Sequence, residues 1–198
     1  MRFSAVEKKD LAFAGFMISL AFAVLLSGGY RAVFSLNSAL LIAFVVSFFT
    51  AGIGFLLHEI MHKYVAQRYG LRAEFRAFRG MLWLALLFSF LGFIVTAPGA
   101  VFISGLITRE KNGKISLAGP MTNIVLALLF LILLFSFGNS GLLGALLNYG
   151  LTINALLAAF NMIPVMPFDG AKILYWNKII YGITTLVAIG LFILSFVI

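Results

Sequence analysis

Long apolar stretches, each closed by a short polar or glycine-bearing segment, set the rhythm of this sequence. They run at about 11–29, 38–57, 81–107, 115–137, 141–163 and 179–198. About 20 apolar residues suffice for a helix to cross a bilayer. The pattern therefore predicts an all-α polytopic membrane protein with about five to six transmembrane helices. No repeat, low-complexity tract or long linker divides the chain, so residues 1–198 read as a single membrane-embedded domain. Within it, 1–37 form a first helix and loop, 38–178 a core, and 179–198 a last helix. Glu7 and Asp10 precede the first run and no small-residue cleavage site closes it, so a retained helix is expected rather than a cleaved leader.

The run at 81–107 fits this scheme badly, being too long for a simple span and too short for two. Basic residues settle how it is read, because they gather on the cytoplasmic side of membrane proteins. With Arg2, Lys8 and Lys9 inside, a single crossing by 81–107 splits the 14 Lys and Arg residues almost evenly, 8 in and 6 out. If 81–107 instead enters and leaves on one side, 13 are inside and only Arg31 is out. A re-entrant segment is therefore expected there, and Gly92, Pro98, Gly99 and Gly105 suit a broken path. Val101, Phe102 and Ile103 would suit a short membrane-dipping strand.

Composition agrees with lipid as the main solvent. Hydrophobic residues make up 63% of the chain and charged residues 10%, against roughly 25% charged in soluble domains. The net charge of +8 lies in short loops between apolar runs, which argues against nucleic acid as a partner and for the lipid bilayer. With no cysteine, disulfides and thiolate metal sites are excluded.

The two histidines, His58 and His62, flank Glu59 in the order His58-Glu59-Ile60-Met61-His62. On a helix, positions i and i+4 share a face, so both imidazoles can reach one ion. Zinc suits two imidazoles, one oxygen ligand and an open position for water, and one Zn2+ per chain is expected. Glu59 can then act as the base that takes a proton from that water. The pattern also arises by chance or as a histidine pair bonding between helices. Its place at the end of an uncharged stretch weighs for function, because ionisable groups in membranes are costly. Of the six acids, Glu7, Asp10, Glu74 and Glu110 belong to flanks and loops. Asp169 remains as the third ligand. It follows Pro164 and Pro167, which break a helix and expose polar backbone. With 81–107 re-entrant, His58, His62 and Asp169 fall at one depth on the cytoplasmic side. Asp169 could also cap the helix after it.

The H-E-x-x-H at a helix end and the later Asn161-x-x-Pro164-x-x-Pro167-x-Asp169-Gly170 segment together resemble the site-2 protease family of intramembrane zinc metalloproteases. Ala118-Gly119-Pro120-Met121-Thr122-Asn123 is similar to that family's A-G-P-x-x-N, and the likeness covers roughly 40–180. It implies zinc on His58, His62 and Asp169, with Glu59 as catalytic base. It also implies a membrane-entering β-type segment after the first motif, and cleavage of membrane-anchored, single-span protein substrates near the cytoplasmic face. The short chain without extra domains suits a prokaryotic cell membrane, and the basic residues put the N-terminus and the opening of the site on the cytoplasmic side. Ala171 and Lys172 depart from the Gly-Arg often found after Asp-Gly.

Asn161 is a candidate for holding substrate backbone or the oxyanion, with helix-to-helix hydrogen bonding as the equal alternative. Asn123 and Asn154 read as such helix-to-helix bonds, Lys172 as a boundary cation, and Gly52, Gly54, Gly141 and Gly144 as close-packing positions. Two other functions compete. A metal-ion transporter would have no use for Glu59 and would carry acids on several helices. A catalytically silent scaffold would not need every ligand retained.

Overall fold

A computed structural model of the chain describes residues 1–30, 38–94 and 97–198. Helix α1 (Ala5–Leu26) starts at Ser4, whose hydroxyl accepts the Glu7 N–H at 3.1 Å and so satisfies one of the donors that a helix start leaves over. Helix α2 (Ser38–Ser47) passes through a π-helical stretch (Phe48–Gly52) into α3 (Ile53–Arg68). Small residues let this stretch come close to α1, since a Cβ on Gly52 would strike the Ser19 hydroxyl. Further on come α5 (Arg109–Phe137), capped by Thr108, and α6 (Gly141–Asn161). Among the described residues, α1, the continuous α2–α3 helix, α5 and α6 are long and apolar enough to cross a membrane. The last helices are α7 (Asp169–Trp176) and α8 (Lys178–Leu194), the latter apolar but shorter than those four. The protein is thus an all-α polytopic membrane protein. Arg31, the one cation expected outside, lies beyond the described residues.

The troublesome 81–107 stretch resolves into a helix and a strand. Strand β1 (Arg72–Ala77) leads into α4 (Arg79–Phe90), and β2 (Gly99–Ser104) follows to pair with β1 in a two-stranded sheet. The ends meet in antiparallel fashion: Phe78 N–H donates to the Pro98 carbonyl at 3.0 Å, and Leu71 lies against Gly105. The chain therefore returns to the place it left. With 12 residues, α4 is about 18 Å long, well short of a bilayer's hydrocarbon core of about 30 Å. The expected strand around Val101, Phe102 and Ile103 is present as β2.

The other edge of β1 is closed by acids of α1. The buried Glu7 accepts the Phe75 N–H at 2.9 Å, and Asp10 accepts that of Ala77 at 3.4 Å. Arg79 reaches Asp10 at 3.5 Å, and the Ser4 hydroxyl donates to Glu74. A buried amide left without a partner costs about 1–3 kcal/mol, so these carboxylates do the work that a third strand would do.

The chain gathers into two compact units, one of Arg2–Leu56 with Glu74–Phe102, the other of Met1, Leu57–Ala73 and Ile103–Ile198. In the second unit, Leu147, Leu151, Ala155 and Ala158 of α6 recur at helical spacing and bury against Ile124, Ala127 and Leu134 of α5 and Ala188 and Leu191 of α8. Two glycines differ from expectation. Gly141 has a positive φ of 66° and open space around it, so it serves the turn that opens α6. Gly144 packs on Asn139 just before its own helix rather than on another helix.

Candidate metal centre

One turn of α3 separates His58 from His62, and their rings stand edge to face, 4.6 Å apart between centroids. Asp169, the first residue of α7, brings Oδ2 to 3.4 Å from His58 Nε2 and 3.0 Å from His62 Nε2. Three ligand atoms around a tetrahedral zinc, at bond lengths of 2.0–2.2 Å, sit roughly 3.3 Å apart. The distances to Asp169 match that spacing, and all three ligand atoms lie within 4.8 Å of one another. All three residues are buried, as is Glu59.

The rings are held by their far nitrogens. His58 Nδ1 donates to Asn123 Oδ1 at 2.6 Å, and His62 Nδ1 donates to the Ile115 carbonyl at 2.7 Å. Since neither oxygen can donate, each ring is fixed with its proton on Nδ1 and its Nε2 lone pair turned to the cluster. Asn123 then has only its N–H groups to give, and Nδ2 donates to Asn154 Oδ1 at 3.0 Å. Asn154 in turn donates to the Gly150 carbonyl at 2.9 Å. This chain of amides has one polarity only, set by the backbone at one end and read by His58 at the other.

Room for an ion is left by α5. A Cβ on Gly119 would run into Nε2 of both histidines, so this helix can pass the cluster only as glycine. Gly170 is constrained in the same way at the start of α7: a Cβ there would meet the Met162 carbonyl, which also accepts the Tyr181 hydroxyl at 3.1 Å. Asp169 is not the cap of α7, as that position falls to Phe168. Asp169 Oδ1 faces Lys172 Nζ at 3.4 Å. Glu59 lies next to His58 on α3, within electrostatic reach of Asp169 and Lys172. Asn161 is engaged by its own helix, donating to the Leu157 carbonyl at 2.9 Å.

Over 191 residues, 96% of this chain and 94% of its relative, the sequence is 41% identical to a protein of Methanocaldococcus jannaschii named "Putative zinc metalloprotease MJ0611". The chain belongs to this zinc metalloprotease family. A second protein of that organism, "Zinc metalloprotease MJ0392", is 29% identical over 134 residues, which cover 67% of this chain and 34% of the relative. No protein-family model and no solved structure matches the chain significantly. The zinc metalloprotease family and the donor set agree: two neutral imidazoles and a carboxylate are what zinc takes in hydrolytic sites.

Asn123 is the member of this metalloprotease centre that reading the sequence assigned elsewhere, to helix-to-helix bonding. It does bond to Asn154, but its oxygen orients a histidine. Losing such a partner typically costs 10–100-fold in metal affinity. Asn123→Leu is expected to weaken zinc binding by roughly that factor, measured by competition with a chromophoric chelator. Unchanged affinity would mean that His58 needs no help.

Proposed function

We propose that this chain is an intramembrane zinc metalloprotease of the site-2 protease type, hydrolysing peptide bonds in or near the transmembrane segments of membrane-anchored proteins. The observation that carries the reading is the buried His58–His62–Asp169 group, whose histidines lie on a helix long and apolar enough to cross a membrane. His58, His62 and Asp169 would hold the zinc. When bound, the ion supplies Lewis acidity towards water and the scissile carbonyl. Glu59 accepts the proton that the attacking water gives up and returns it to the leaving amine. Asn123 and the Ile115 carbonyl keep the histidine rings in the ligating tautomer. A helical substrate segment hides its carbonyls in hydrogen bonds, so it must unwind locally before attack. Pairing along a strand edge is one way to hold it extended. The site would open to the cytoplasm of a prokaryotic cell, the side on which the sequence puts nearly all its cations.

The test is cleavage of single-span model substrates by the purified protein in detergent, with cut sites read by mass spectrometry. Cuts in or beside the apolar segment are expected, stopped by a zinc chelator and restored by added zinc. Equal cleavage of soluble unfolded proteins would remove the membrane part of the proposal. Failure to cut any of a broad panel, with zinc bound, would remove the protease.

A further inference from the structure

Asp169 uses its two oxygens differently. Oδ2 is turned to both histidine Nε2 atoms, at 3.4 and 3.0 Å, while Oδ1 points to the ammonium of Lys172 at 3.4 Å. The division follows from the start of α7. Asp169 is its first residue and Lys172 stands one turn later on the same face, where side chains at i and i+3 meet. The lysine is largely covered, with 29% of its side chain exposed, so its charge is not simply dispersed into water.

A carboxylate can ligate a metal through one oxygen or both. A second oxygen would occupy the position that a hydrolytic zinc site must leave open for water. We infer that Lys172 is a positioning residue: it engages Oδ1 so that Asp169 offers the metal Oδ2 alone. This rests on the metal-site reading above and deepens it. An ammonium so near a divalent cation also repels it, so a residue kept only to strengthen metal binding would not be a lysine. The two effects separate in a variant. Without Lys172 the metal binds as well or better, but its surroundings change and the reaction slows.

Cobalt(II) reports the difference, because its visible absorption is strong at four-coordinate sites and weak at five-coordinate ones. Purified wild type, Lys172→Met and Lys172→Arg would be loaded with cobalt and titrated with a competing chelator. Expected are a strong wild-type spectrum, a weakened one in Lys172→Met with affinity undiminished, and restoration in Lys172→Arg. Cleavage of a model substrate should fall roughly 10–100-fold in Lys172→Met and recover in Lys172→Arg. A lysine that merely staples α7 would lower thermal stability and leave the spectrum of the loaded protein as it was. An unchanged Lys172→Met spectrum therefore overturns the inference while leaving the metal site standing. Failure of wild type to bind cobalt or zinc would overturn both.

Discussion

Glu59→Gln is expected to abolish peptide hydrolysis while about one zinc per chain stays bound. The substitution keeps the size of the side chain and removes its ability to take a proton. General base catalysis is worth about 10²–10⁴-fold, and a loss at or beyond the top of that range is expected where the same carboxylate also passes the proton to the leaving amine. Unfolding would not explain the result. Glu59 is buried, and replacing a buried carboxylate with a neutral isostere relieves a desolvation cost rather than adding one. Zinc content by mass spectrometry and cleavage of a model substrate, measured on the same preparation, decide the matter. Substantial activity in Glu59→Gln would show that another group moves the proton. Loss of zinc along with activity would make Glu59 part of the metal's binding set.

The second large effect comes from a single methyl group. Gly119→Ala should empty the metal site, because the new Cβ would occupy the space in front of His58 Nε2 and His62 Nε2. The helix itself benefits, since alanine is favoured over glycine inside helices by about 1 kcal/mol. The protein should therefore purify as a folded species, with zinc well below one per chain and activity falling in proportion. Most substitutions that abolish a metal site also loosen the fold; this one is expected to separate the two. Stoichiometric zinc in Gly119→Ala would mean that α5 can move aside and that the cradle is softer than its geometry implies.

Much of this centre was legible because its spacing is local. Two histidines four apart on a helix must share a face whatever the rest of the fold does. Asp169 was reachable because so few acids could compete with it, and because the prolines before it ruled out a continuing helix. At 81–107 the charge count and the helix-breaking Gly92, Pro98, Gly99 and Gly105 pointed to a broken stretch, and a helix and a strand stand there in place of one span. What could not be read depends on neighbours distant in sequence. The His58–Asn123 bond joins positions 65 apart, and nothing in an asparagine's surroundings says which helix it will face. The Ile115 carbonyl is invisible in principle, as every residue has one. Gly119 looks like any packing glycine until the histidines are seen in front of it. Asn161 was read equally as a holder of substrate backbone and as a helix-to-helix bond; its amide donates within its own helix, to the Leu157 carbonyl.

The carboxylates of α1 have a consequence for how the small sheet can grow. A strand edge normally recruits whatever extended chain comes near, and a two-stranded ribbon offers two such edges. Here the Phe75 and Ala77 amides are already taken by Glu7 and Asp10, so the β1 side is spoken for. An extended visitor therefore finds these two amides on the β1 side closed to pairing. The first helix thereby guards part of a strand edge, using two acids placed three residues apart.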